Sequence, residues 1–160
     1  MDGNRSSITM SEIMTPNQAN FAGNIHGGHL LNFLDKVAYA CAARYSGRYV
    51  VTLSVDQVVF KQPIHVGNLV TCLASVNHVG RSSMEIGIKV IAEDMSTGTV
   101  SHTNSCFFTM VALDENHKPV TVKPLDCQTD EQKRRFKEAV LRKKMRIELS
   151  EKEKAMFKKL

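Results

Sequence analysis

Tryptophan is absent, and the 160 residues hold only three tyrosines and seven phenylalanines. A dedicated nucleic-acid surface interleaves aromatic and basic residues, and that pattern is missing. Cysteine is sparse too. Cys41, Cys72, Cys106 and Cys127 form no CxxC and no close pair. In a chain with a full core they read as buried thiols of a reducing compartment, and none sits beside a convincing base for cysteine catalysis. No uncharged apolar run approaches the roughly 20 residues of a membrane span. The opening MDGNRSSITM has early charge and no apolar stretch, so no signal peptide is expected. A cytoplasmic protein with neither membrane nor nucleic acid as partner is expected. GxSxG, P-loop and Rossmann fingerprints are all lacking. His26 and His29 have metal-like i, i+3 spacing, but without HExxH or a companion Cys/His pair they read as structural, so no metal is expected.

What is present is ordinary globular material, with 42% apolar and 23% charged residues. The length suits one domain with a real core. The net charge of +5 is unevenly placed: residues 129–160 carry +6 and residues 1–128 carry −1. A basic helical extension over 129–160 is thus distinguished from a domain over 1–128. It reads either as a solvated face or as a surface for a polyanionic ligand.

Residues 7–15 suggest a short strand, and the Pro-, Asn- and Gly-rich 16–28 a loop. From 29 to 45 the apolar residues Leu30, Leu34, Val37, Ala38, Cys41 and Tyr45 line one face of a helix. Ser46-Gly47 ends it. The period then becomes two. Strands are expected over 51–60, 69–79, 84–94 and 99–113, joined by short turns and hence antiparallel. Charges on 84–94 (Glu85, Lys89, Glu93, Asp94) suggest an open edge there, of the kind a partner chain completes. A last helix over 130–147 has a sparse apolar face of Phe136, Val140, Leu141 and Met145. The fold class is α+β, a long helix on one face of an antiparallel sheet.

The chemistry-bearing residues cluster between Pro16 and Asp35. Gly27 and Gly28 open the helix, where free N–H groups and the positive end of the dipole can hold a developing oxyanion. Taken alone, the pair is better explained as a plain tight turn entering a helix. Asp35 sits two helical turns on, between Leu34 and Val37. A carboxylate in so apolar a helix reads either as a general base or nucleophile, or as an edge charge solvated by Lys36.

Three segments in order, PNQANFAGNIHGGHLLNFLDKVAYACA, VVTLSVDQVVFKQPIHVGNLV and VGRSSMEIGIKV, resemble the hotdog-fold acyl-CoA thioesterases, namely the bacterial short acyl-CoA hydrolases and the cytosolic long-chain hydrolases of animals. The resemblance covers roughly residues 8–125. It implies a long central helix wrapped by an antiparallel sheet. It also implies hydrolysis of fatty acyl-CoA to free acid and CoA, with no cofactor beyond the CoA of substrate and product. Asn20 and Asp35 match the pair that handles water and thioester, and Gly27 and Gly28 the amides that polarise the carbonyl. The turn Gly80, Arg81, Ser82 and Ser83 matches the one that meets CoA. Asn24, His26 and Thr52 match substrate-lining positions. The resemblance further implies a site formed between two copies, Asn20 of one meeting Asp35 of the other, in a homo-oligomer built as a hexamer from three dimers. Alternatives are a non-catalytic acyl-CoA-binding regulator of the same fold, which has no need of the Asn20/Asp35 pair, and a dehydratase, for which a catalytic His is wanting.

Overall fold

A computed structural model describes residues 5–158. Five strands form one antiparallel sheet: β1 (Ser7–Ile13), β2 (Tyr49–Val55), β3 (Leu69–Val79), β4 (Ser83–Glu93) and β5 (Val100–Leu113). Their order is β1-β3-β4-β5-β2. Two long helices, α1 (Gly27–Ser46) and α2 (Asp130–Phe157), complete the chain. This is the helix-on-sheet arrangement of the hotdog.

α1 starts two residues before its apolar periodicity does, because His26 caps it: the ring Nδ1 accepts the Gly28 amide at 3.0 Å. It stops at Gly47, whose φ of +65° is open to glycine at little cost. Leu30, Phe33, Leu34, Val37, Ala38, Cys41 and Ala42 are buried along it. They pack on the inward residues of the sheet, among them Val70, Cys72, Met84, Ile86, Ile88, Cys106, Phe108 and Met110. Three of the four thiols lie in this core, while Cys127 is half-exposed on the loop beyond. Tyr45 pins that loop by donating its hydroxyl to the carbonyls of Lys123 and Pro124.

Four expectations need correction. The strand from residue 51 ends at Val55 and does not run on through Val58-Val59-Phe60. A bulge between Thr52 and Ser54 bends it. Only the Asp56 amide still bonds β5, at Phe107 O; the chain then leaves the sheet and brings the Phe60 ring against Gly27. Secondly, β4 is no edge: it pairs with β3 and β5, and the edges are β1 and β2. Its Glu85 is buried because α2 covers it on the outer face of the sheet, which makes a third layer. Thirdly, α2 runs to Phe157, ten residues past its apolar periodicity, because Glu, Lys and Ala sustain a helix without a buried face. Lastly, the face of α2 that meets the sheet is polar. Ala139 is its one buried residue, while Val140, Leu141 and Met145 are exposed. Arg135, Arg142 and Arg146 make the contacts instead, through Ser75, Glu85 and Asp56.

Candidate active site

The loop into α1 is built by its own polar side chains. Thr15 and Gln18 cap a short turn over Pro16–Gln18, and Gln18 Nε2 donates to Glu12 at 2.7 Å. Asn20 Oδ1 accepts two amides, from Ala22 at 2.9 Å and Asn24 at 3.1 Å. Its acceptor oxygen is thereby committed to the loop, and what Asn20 can offer a ligand is its Nδ2 donor. Phe21 stands fully exposed at the tip. The Ile25 and His26 amides close the loop onto Ile64 and Gln18.

At the mouth of α1 the two glycines do different work. The Gly28 amide is donated to His26 Nδ1, which leaves the ring proton of a neutral His26 on Nε2. A Cβ on Gly28 would stand 3.1 Å from that Nδ1, so glycine lets the ring sit so close. The Gly27 amide makes no hydrogen bond among the described residues. His29 turns away and meets Glu12 at 3.3 Å, so the two histidines do not converge.

Further along α1, Asp35 is exposed on the flank next to β2. Thr52 donates its hydroxyl to Asp35 Oδ1 at 2.6 Å. No ion pair with Lys36 forms. Thr52 lies on the α1 side of β2, beside the bulge and on the open edge of the sheet. An acid and a threonine thus face outward where the sheet has no neighbour. Within one chain Asn20 and Asp35 make no contact.

The β3–β4 turn is fixed through its backbone. The Gly80 amide donates to Ser83 O, and Ser82 O and Arg81 O accept from Ala112 and Val122. Arg81 has no ion-pair partner among the described residues. Beside the turn stands Lys143 of α2, its Nζ 3.2 Å from where a Gly80 Cβ would be. Sequence reading missed this lysine as a member of the group, since only the fold brings residue 143 to residue 80. It also missed the buried Glu85 with Arg142 and Arg146. The spacing of those arginines, four apart on one helix face, was the available signal.

A family model described as the thioesterase superfamily matches residues 22–99. Protein VdlD of Helicobacter pylori is 53% identical over 142 residues, 89% of this chain and 81% of that protein. YkhA of Bacillus subtilis, described as an uncharacterized acyl-CoA thioester hydrolase, is 37% identical over 79% of this chain and 74% of its own length. The chain belongs to the thioesterase superfamily. Within the superfamily its neighbours in structure are acyl-CoA hydrolases. An apo-hexameric acyl-CoA thioesterase is 36% identical and superposes with a TM-score of 0.87 over 91% of this chain and 94% of that one. The acyl-CoA hydrolase of Staphylococcus aureus, solved with butyryl-CoA, CoA and CoA disulfide, is 27% identical with a TM-score of 0.87, covering 96% of this chain and 94% of that one. That enzyme has also been solved with alanine replacing one asparagine, one aspartate and one threonine in turn. This thioesterase-superfamily chain therefore shares fold and enzyme class with thioester hydrolases.

Proposed function

We propose that this protein hydrolyses fatty acyl-CoA to free acid and CoA at a site shared between two copies of the chain, with Asp35 as general base. The observation that carries the reading is the Asp35 carboxylate, held at one oxygen by Thr52 at 2.6 Å and exposed on the flank of α1 beside the open β2 edge. A second observation supports it. The asparagine, aspartate and threonine replaced in the S. aureus hydrolase are spaced fifteen and seventeen residues apart, as Asn20, Asp35 and Thr52 are here.

Asp35 takes a proton from water, and the water oxygen bonds to the thioester carbon. The carbonyl oxygen becomes an oxyanion. The Gly27 amide, at the positive end of α1, is the free donor for it, and His26 Nε2–H is a second. Gly28 serves the site by fixing the His26 ring. Asn20 enters from the other copy as an Nδ2 donor, which fits a loop tip that exposes Phe21 fully. Collapse of the intermediate breaks the carbon–sulfur bond, and the CoA thiolate takes the proton back from Asp35. Arg81 and Lys143 supply charge for CoA phosphates at the β3–β4 turn. The test is thiol release from acyl-CoAs of graded chain length. Hydrolysis by the wild type that Asp35→Asn retains would refute Asp35 as base, and no release from any of them would refute the activity.

A further inference from the structure

α2 is longer than the sheet it crosses. The strand register sets His78, Glu85, Thr109 and Ser54 side by side across β3, β4, β5 and β2. α2 follows that row. The Phe136 ring lies 5.0 Å from His78, Arg142 pairs with Glu85, and Arg146 reaches Asp56 just past β2. From Phe136 to Arg146 the helix rises about 15 Å. Three interstrand spacings measure about 14 Å. The helix therefore crosses from β3 toward the β2 edge, where the Arg146 side chain spans from Glu85 of β4 at 3.0 Å to Asp56 just past β2 at 2.8 Å. Residues 147–157 remain, about 16 Å of helix without a buried residue.

Exposed apolar side chains continue along this end of α2, beyond Val140, Leu141 and Met145. Ile147, Leu149, Met156 and Phe157 are 52%, 57%, 61% and 72% exposed. Beneath it lies a cleft of about 1110 Å³, whose floor includes Leu53 and Val55 of β2, themselves exposed. Among the described residues β2 pairs only with β5, so its other edge carries free backbone groups. The charge, by contrast, changes. Residues 133–146 hold eight basic side chains and one acidic, whereas 147–158 set Glu148, Glu151 and Glu153 against three lysines.

We infer that residues 147–157 are a strap that reaches over the β2 edge onto the outer face of a second copy of this chain. Antiparallel pairing of two β2 edges puts the two-fold axis perpendicular to the sheet, so both outer faces lie on the same side. The sheet then continues beneath the overhang. The axis stands about half a strand spacing beyond β2, close to residue 148 of the helix. The two straps pass antiparallel, which brings Glu151 and Glu153 of each beside Lys144 of the neighbouring helix. A second copy suits this surface better than an anionic ligand, which would meet three glutamates at the rim. The inference rests on the two-copy reading only in requiring that β2 edges meet, since no strap residue belongs to the proposed site.

The test compares three proteins over a dilution series by native mass spectrometry: the full chain, the chain ended after Arg146, and a full-length Ile147→Glu/Leu149→Glu variant. Amide exchange over 147–157 is followed in the full chain. Both variants are expected to raise the dimer dissociation constant about tenfold or more. Wild-type amides of 147–157 should lose protection as dilution produces monomer. An oligomeric wild type with both variants unmoved overturns the strap alone. A wild type that is monomeric throughout overturns it together with the shared site. Protection of 147–157 that appears only on adding palmitoyl-CoA gives the cleft to substrate and overturns the strap.

Discussion

At the scale of single residues, the site depends on a few short hydrogen bonds whose removal has distinct signatures. Asp35→Asn is nearly isosteric and exposed, so it should leave fold and acyl-CoA binding intact while lowering kcat by roughly 10²-fold or more. Circular dichroism and a CoA-binding isotherm alongside the rate assay check all three. Thr52 donates its hydroxyl to Asp35, so on the proposed mechanism its part is to position that carboxylate. Thr52→Val should lower kcat by about tenfold with KM little changed, and should add nothing to Asp35→Asn in a double-mutant cycle. The thiols make a different prediction. Burial pushes Cys41, Cys72 and Cys106 up to about 12, so they stay protonated at pH 8. Iodoacetamide on the native protein should modify Cys127 alone, as read by mass; a second adduct would contradict the buried core.

At the scale of elements, α2 is fastened by charge where most helices are fastened by oil. Glu85 is 2% exposed and receives Arg142 at 2.7 Å and Arg146 at 3.0 Å, while Arg142 also stacks 3.7 Å over the Phe107 ring. Asp56 takes the other side of Arg146 at 2.8 Å, so two acids balance two arginines. Breaking a buried pair costs more than the pair is worth, because the abandoned charge stays buried. Glu85→Ala should therefore destabilise the protein by about 3 kcal/mol or more in urea titrations and expose α2 to protease. His78 lies under the same helix. Burial, then Lys143, lowers its pKa below 6.5, and Arg146 adds to this against the pull of Glu85. The unfolded chain then binds the proton more readily. The stability this group contributes is fully present above pH 6.5 and is lost as pH falls through the lower folded value. The urea midpoint should drop between pH 7.5 and 5.5, and His78→Gln should shrink that drop.

At the scale of the whole molecule, the residues proposed for catalysis do not close on each other within one chain. Asn20 and Asp35 are apart, and Asp35 opens toward the unpaired edge of β2. Each single mutant, Asn20→Ala or Asp35→Asn, should be nearly inactive alone. Mixed and allowed to exchange subunits, they should recover activity, since a mixed pair holds one undamaged site. Exchange verified by mass without recovery would place the whole site within one chain. The proposed pairing of two copies would also cover an exposed Phe21 and an open edge strand.

The period of the apolar residues was enough to give α1, β3, β4 and β5 nearly to the residue. Each buries one face on the core, and burial on one face is what writes a period into sequence. The cluster at the mouth of α1 was legible because two glycines and an acid lie within a few turns, although the His26 cap was not. What stayed hidden has no local period. β2 ends early at a bulge and α2 runs past its pattern. The edge identity of β2 depends on strand order, which antiparallel pairing of neighbours in sequence does not reveal. Glu85 read as an edge charge until the fold laid Arg142 and Arg146 over it, and Lys143 read as solvated until it arrived beside Gly80. Charges meet their partners through space, at separations of some sixty residues here, and so only the tertiary structure decides which of them face water.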